Sequence, residues 1–369
     1  MPTHIPEIPV FDWAQSPGTI LQMELAAQSM SQAQLAARTG LSPKHVNLVV
    51  KGHAPISADV AVSLERVLGT PAQVWLRVES TYQAHEARVA RAEMQSTPSF
   101  LEWARKFPRE VLEKRGVIAH GDDGAVLVEK VLDFFGVTSP DAFEKAWLEP
   151  QASYRRSQKF TISPLSTALW IRLVEVEADK LASKVAEYDA KKLAQVAKRI
   201  PALTRLAPAK GFRRAQRELL DAGVTLVFVP EVPDTRINGM TRVYKKRHVI
   251  AVTSRHRSFD ILWFTVLHEL AHVLLHPKRA TFLDIGKASD NDDAQEAIAD
   301  AFAADTLIPS KFNPQIQDLS STEELASLAE ELNLGPGILA GRRAFLRNEW
   351  GGPFAKFRET GDLEELLEA

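Results

Sequence analysis

Phe264-Thr-Val-Leu-His268-Glu269-Leu-Ala-His272-Val-Leu-Leu275 is the stretch on which the reading of this chain turns. Apolar residues surround two histidines and a glutamate, and the spacing predicts a largely buried helix from about Phe259 to His276, stopped by Pro277. Residues four apart lie about one turn apart on one helix face, so the imidazoles of His268 and His272 can reach a single ion. Glu269 sits about 100° around the helix from His268, close enough to hold a water at that ion. His276 would lie about 12 Å along the axis from His268, too far to share the ion. Its place before Pro277 suits a C-terminal cap instead.

Downstream, Asp293-Ala-Gln-Glu296-Ala-Ile-Ala-Asp300-Ala-Phe-Ala-Ala reads as a strong helix with two acids one turn apart. Such acids usually mark a solvated face. Here Ala297, Ile298, Ala299, Ala301 and Phe302 surround them with apolar surface, which points to a site. Glu296 would complete a two-histidine, one-carboxylate set for catalytic zinc, with a fourth position left for water. Asp300 would accept the outer N–H of a ligating histidine and fix its tautomer. The expected chemistry is zinc-assisted hydrolysis, with Glu269 moving the proton. An oxyanion stabiliser is also needed. Tyr244 and His248 are candidates that spacing does not separate from an edge-strand aromatic and a surface histidine.

Composition frames this site. With 369 residues the chain exceeds one comfortable core and suggests two or three domains. It is 45% apolar and 25% charged, as ordinary globular proteins are, and its net charge of −2 gives no global attraction to nucleic acid or acidic membranes. There are no cysteines, which excludes disulfides and thiolate zinc sites and fits a cytoplasmic location. Met1 to Ala14 lacks the basic and apolar regions of a signal peptide. The most apolar run, Phe259 to Leu275, carries Asp260, His268, Glu269 and His272, which a bilayer would tolerate poorly.

The expected fold is α+β and mainly helical, with four segments. Residues 16–85 are expected to form an all-α helix-turn-helix domain, 86–184 a helical connecting region, 185–312 a zinc-site domain with a small β-sheet, and 313–369 a helical extension. Strands are expected at Thr225–Pro230, Arg242–Tyr244 and His248–Val252. Arg205, Lys210, Arg213, Arg214 and Arg217 form a basic cluster that reads first as a solvated face, with DNA or an acidic partner as the alternative.

The residues Phe264-Thr-Val-Leu-His268-Glu-Leu-Ala-His272 and Glu296-x-x-Ala-Asp300-x-Phe-Ala-x-x-x-Leu-Ile-Pro309 resemble the ImmA/IrrE family of metallopeptidases. The resemblance covers about Val185 to Pro309. It implies a gluzincin-like fold, a zinc-dependent metallo-endopeptidase, ligands His268, His272 and Glu296, and Glu269 as base. Several members cleave a transcriptional repressor. Ile298 stands where the family often has a second Glu, and Asp300 where Asn is also common; neither departure removes a ligand.

Ser31-Gln-Ala-Gln-Leu-Ala-Ala-Arg-Thr-Gly40-Leu-Ser42-Pro-Lys-His-Val-Asn-Leu-Val-Val-Lys-Gly52 reads as helix, tight turn, helix. Ser31 can cap the first helix, Gly40 suits its left-handed end, and Ser42-Pro43 is a start signal for the second. Gln32, Ser42, Lys44, His45, Asn47 and Lys51 are the candidate DNA contacts, since amide and ammonium groups can read base edges or hold phosphates. By physical pattern alone a plain helical hairpin fits equally. The elements Pro17-Gly-Thr-Ile-Leu, Ser31-Gln-x-Gln-Leu-Ala, Asn47-x-Val-Val-Lys-Gly52 and Val74-Trp-Leu76 resemble the Xre-type helix-turn-helix of HigA-like antitoxins. That resemblance implies operator DNA as a partner and a homodimer. Two functions follow. One is a DNA-bound zinc peptidase that cleaves a partner such as a repressor. The other is an antitoxin-like autoregulator whose peptidase fold grips a cognate toxin.

Overall fold

Hydroxyl groups decide where the N-terminal helices begin. In α1 (Pro17–Ala27), α2 (Gln32–Thr39), α3 (Pro43–Val50) and α4 (Ala58–Leu68) the preceding serine accepts a hydrogen bond from a first-turn backbone N–H. Ser31 and Gln34 bond reciprocally as a capping box. Gly40 and Gly69 close α2 and α4 in the left-handed conformation that glycine adopts without a Cβ clash. With α5 (Ala72–Gln95), these helices enclose a core of Leu21, Leu35, Val46, Val49, Val60, Leu64 and Trp75.

The computed structural model describes residues 15–150, 163–275, 281–284, 293–358, 360, 361 and 366. The N-terminal stretch Met1 to Ala14, the cap assigned to His276 and Pro277, and most of the acidic C-terminal end lie outside the described residues. The chain divides into two compact units. One comprises Met1–Glu102 and Asp122–Glu129; the other comprises Trp103–Gly121 and Lys130–Ala369.

Four helices follow α5: α6 (Pro98–Arg105), α7 (Arg109–Lys114), α8 (Gly124–Phe135) and α9 (Pro140–Phe143). The second unit is organised by a four-stranded sheet of order β1-β3-β2-β4, with β1 at Val224–Phe228, β2 at Gly239–Tyr244, β3 at Arg247–Val252 and β4 at Thr281–Asp284. β1 runs parallel to β3, with Val224 opposite His248; β2 is antiparallel to both β3 and β4. The β2–β3 hairpin turns through Lys245 and Lys246, both at positive φ. A two-residue hairpin turn of this hand needs that geometry, usually supplied by Asn or Gly.

Alternation along β2 assigns the two faces of the sheet. Arg242 and Tyr244 reach Glu175 (2.8 Å) and Asp179 (3.1 Å) on α10 (Pro164–Lys180). Thr241 points the other way and bonds Glu269 on α13 (Phe259–Leu275). On that second face lie α11 (Ala190–Leu203) and α12 (Pro208–Asp221). Beyond α14 (Asp293–Leu307) come α15 (Asn313–Gln317), α16 (Thr322–Glu331) and α17 (Pro336–Arg347). One core runs from Leu193 through Leu226, Ile250, Val266 and Leu270 to Leu339 and Leu366, so the C-terminal helices pack with the sheet. At the start of α13, Asp260 accepts from Arg358 at 2.9 Å and from Ser258, tying the C-terminal segment to that helix.

Gly18 marks a close helix approach in the first unit. A Cβ there would stand 2.2 Å from the carbonyl oxygen of Val50 and 2.6 Å from that of Val49. Backbone cannot swing aside as a side chain can, so α1 would have to leave α3. Gly18→Ala is expected to destabilise this unit by about 1–3 kcal/mol. Denaturant unfolding followed by helical circular dichroism checks it, and an unchanged midpoint would refute the close approach.

Candidate metal centre

α13 is buried along nearly its whole length, which is why Leu262, Trp263, Val266, Leu267, Leu270 and Val273 can surround polar groups. His268, Glu269 and His272 are 4%, 0% and 1% exposed. Burying such groups costs several kcal/mol unless each finds a polar partner. Two neighbouring elements supply those partners.

From one side comes α14. Glu296 Oε2 lies 3.1 Å from His268 Nε2, and Glu296 Oε1 lies 3.6 Å from His272 Nε2. The two Nε2 atoms are 3.1 Å apart. Their rings stand at 77° to one another, so three donor atoms converge on one point from different directions. Ligands at zinc bond lengths in a tetrahedron are separated by about 3.3 Å. The observed triangle fits a small divalent ion. Two imidazoles and a carboxylate facing each other at these distances are relieved by a cation or a proton between them.

One turn further along α14, Asp300 Oδ1 lies 2.9 Å from His268 Nδ1. A carboxylate there places the ring proton on Nδ1 and leaves the Nε2 lone pair facing Glu296. Burial opposes ionisation of Glu296, but its contacts with the imidazoles of His268 and His272 hold its carboxyl down at about 2.

From the other side comes β2. The Thr241 hydroxyl is 2.8 Å from both Glu269 Oε2 and the Glu269 carbonyl oxygen, so its single proton is shared between them. Two residues earlier on the same face, Gly239 leaves no room for a side chain. A Cβ there would meet Glu269 Oε1 at 2.5 Å and Thr265 Cγ2 at 2.7 Å. Thr241 and Gly239 escaped the sequence reading. A glycine beginning a strand, followed at i+2 by a hydroxyl, was the available signal of a close backbone approach.

The other candidates lie elsewhere. Tyr244 bonds Asp179 on the α10 face of the sheet, away from α13. The His248 ring packs against Tyr188 at 4.6 Å, and burial lowers its pKa. Neither joins the triangle. In the first unit, Asn47 Nδ2 donates to Gln32 Oε1 at 3.4 Å, coupling α3 to the start of α2. Lys44 and Lys51 are exposed and His45 is half-buried, while Ser42 caps α3 with its hydroxyl.

Comparisons with known proteins match two regions. Residues 225–342 match the IrrE N-terminal-like domain, and residues 21–75 match a helix-turn-helix family. Virulence-associated protein I of Dichelobacter nodosus is 35% identical over 81 residues, which is 22% of this chain and 72% of that protein. The structure of an addiction module antidote protein of a HigA family from Coxiella burnetii shares 30% identity. It covers 23% of this chain and 97% of its own, with a TM-score of 0.20. Among the described residues, no helix is long and apolar enough to cross a membrane.

If Asp300 orients His268, Asp300→Ala should weaken divalent-metal binding about 10- to 100-fold in a chelator competition. The sign of the pH effect also follows. Because the Glu296 carboxyl is held below its ordinary 4.5, it stays ionised until the pH falls to about 2. The difference in metal affinity between the parent and Glu296→Gln should therefore persist through the ordinary carboxylate range, down to about pH 3. A difference that vanishes near pH ~4.5 would contradict this assignment.

Proposed function

We propose that this chain, which carries a helix-turn-helix domain and an IrrE-like domain, is a DNA-bound zinc metallo-endopeptidase acting on a partner protein. The convergence of His268, His272 and Glu296, with Glu269 beside them, is the observation that carries this reading. A donor set of two imidazoles and one carboxylate is the catalytic type for zinc, and no thiolate exists in the chain to offer another. Zinc, when bound, supplies a Lewis acid that acidifies water and polarises a peptide carbonyl.

The protein's own groups do the rest. Glu269 takes a proton from the attacking water and delivers it to the amine as the C–N bond breaks. The Thr241 hydroxyl holds one carboxylate oxygen of Glu269 in place, and Asp300 keeps His268 in the ligating tautomer. Gln32, Ser42, Lys44, His45, Asn47 and Lys51 are proposed to face operator DNA, with α3 in the major groove of a homodimer's site. The substrate class we favour is a second helix-turn-helix repressor, in the cytoplasm where the DNA lies.

A second reading is favoured by one observation: Glu269 is wholly buried. A domain that grips a toxin without cleaving it could keep such a residue for packing. One experiment separates the two. Glu269→Gln should retain stoichiometric zinc yet slow cleavage of the neighbouring gene's product by at least about 10²-fold. Cleavage at the parent rate would remove Glu269 from the mechanism. Neutralisation of a neighbouring toxin by Glu269→Gln as well as by the parent would favour the binding role.

A further inference from the structure

α11 and α12 form a hairpin that gives Leu193, Val196, Ile200, Phe212 and Leu219 to the core. Their outer sides are cationic. Between Ala190 and Arg217 lie nine of the chain's 45 Lys and Arg and none of its 47 Asp and Glu. On α11, Lys191, Lys192, Lys198 and Arg199 are exposed, and on α12, Lys210, Arg213, Arg214 and Arg217 are exposed. The spacings of seven residues on α11, and of three, four and seven on α12, return the charges to one face of each helix. The two rows share an edge. Glu218 of α12 accepts from Arg199 of α11 at 2.7 Å and from Arg214 at 3.2 Å. Arg205, exposed in the turn, extends the same run.

Like charges at these spacings repel and work against the hairpin's own stability. A core-packing requirement explains the inner face only, so the outer one needs another cause. Protein interfaces rest on aromatic and aliphatic anchors. Among the described residues, none of the exposed large apolar side chains falls between 190 and 221, and the one aromatic residue there, Phe212, is buried. The face has no ring on which an unpaired base could stack. Apart from Glu218, which pairs with Arg199 and Arg214, what it offers is regularly placed positive charge, and the polymer that matches this is a phosphate backbone.

We propose that the outer face of the α11–α12 hairpin binds duplex DNA through its phosphates, independently of base sequence, as a second nucleic-acid contact besides the helix-turn-helix. Each helix of 14 residues is about 21 Å long, the axial span of about six base pairs.

The test uses the full-length chain and a duplex of random sequence, with affinity measured across a salt series. Lys198, Lys210 and Arg217 are replaced together by Gln, which keeps helix propensity. Binding at about 0.1 M salt is expected to weaken about tenfold or more, and the slope of log affinity against log salt to fall by about 2 to 3. Replacing the same Lys residues by Arg and Arg217 by Lys should preserve both. A Lys44→Gln/Lys51→Gln variant in α3 reports on the other contact and should keep the hairpin's share of the slope. Circular dichroism and melting unchanged from the parent exclude misfolding as the cause. The proposal is overturned if the parent fails to bind duplex at low salt, or if the triple variant keeps the parent's slope. It is also overturned if polyglutamate binds the parent as tightly as DNA does, which would assign the face to an acidic protein.

Discussion

Three polar side chains buried on one apolar helix set the terms for the second unit. His268, Glu269 and His272 lie within five residues of α13 and are almost wholly withdrawn from solvent. A helix satisfies its backbone internally but does nothing for such side chains. Partners must come from elsewhere, and they come from two directions at once. α14 brings carboxylates to the two imidazoles, and β2 brings a hydroxyl and a bare glycine to the glutamate. If α14 or β2 moved away, buried polar groups would lose their partners.

The surrounding architecture serves that placement. β2 is an interior strand, paired on both sides, and so has little freedom to drift from Glu269. Its opposite face is anchored to α10 by Arg242–Glu175 and by Tyr244 and Lys245 with Asp179. The first turn of α13 is held by Asp260, whose carboxylate meets Arg358 and leaves no space for a Cβ at Gly341. Metal-site geometry of this kind depends on neighbouring groups that fix the ligands' orientation. Here those groups come from segments more than a hundred residues apart.

Charge is distributed with comparable economy. The chain as a whole is close to neutral, yet the α11–α12 hairpin concentrates cations on one side and apolar residues on the other. In the N-terminal unit α1 to α4 instead begin on serines, and α2 and α4 end on glycines, so local capping does much of the work of defining them.

Short-range signals made much of this legible in the sequence. The His268–His272 spacing, the Glu296–Asp300 spacing and the caps at Ser31, Gly40 and Ser42 depend only on helix geometry, which repeats regardless of context. Three strands were also readable, although β2 begins earlier than its apolar run, at Gly239, and the edge strand β4 was not foreseen. The sequence could not say which strand crosses beneath Glu269, that Thr241 rather than Tyr244 or His248 faces it, or that Gly18 and Gly239 are glycines because backbone passes against them. Those facts depend on contacts between residues far apart in the chain, and no local periodicity encodes them. Spacing along one helix determined which groups could share an ion; only the packing of α14 and β2 against that helix decided which groups meet.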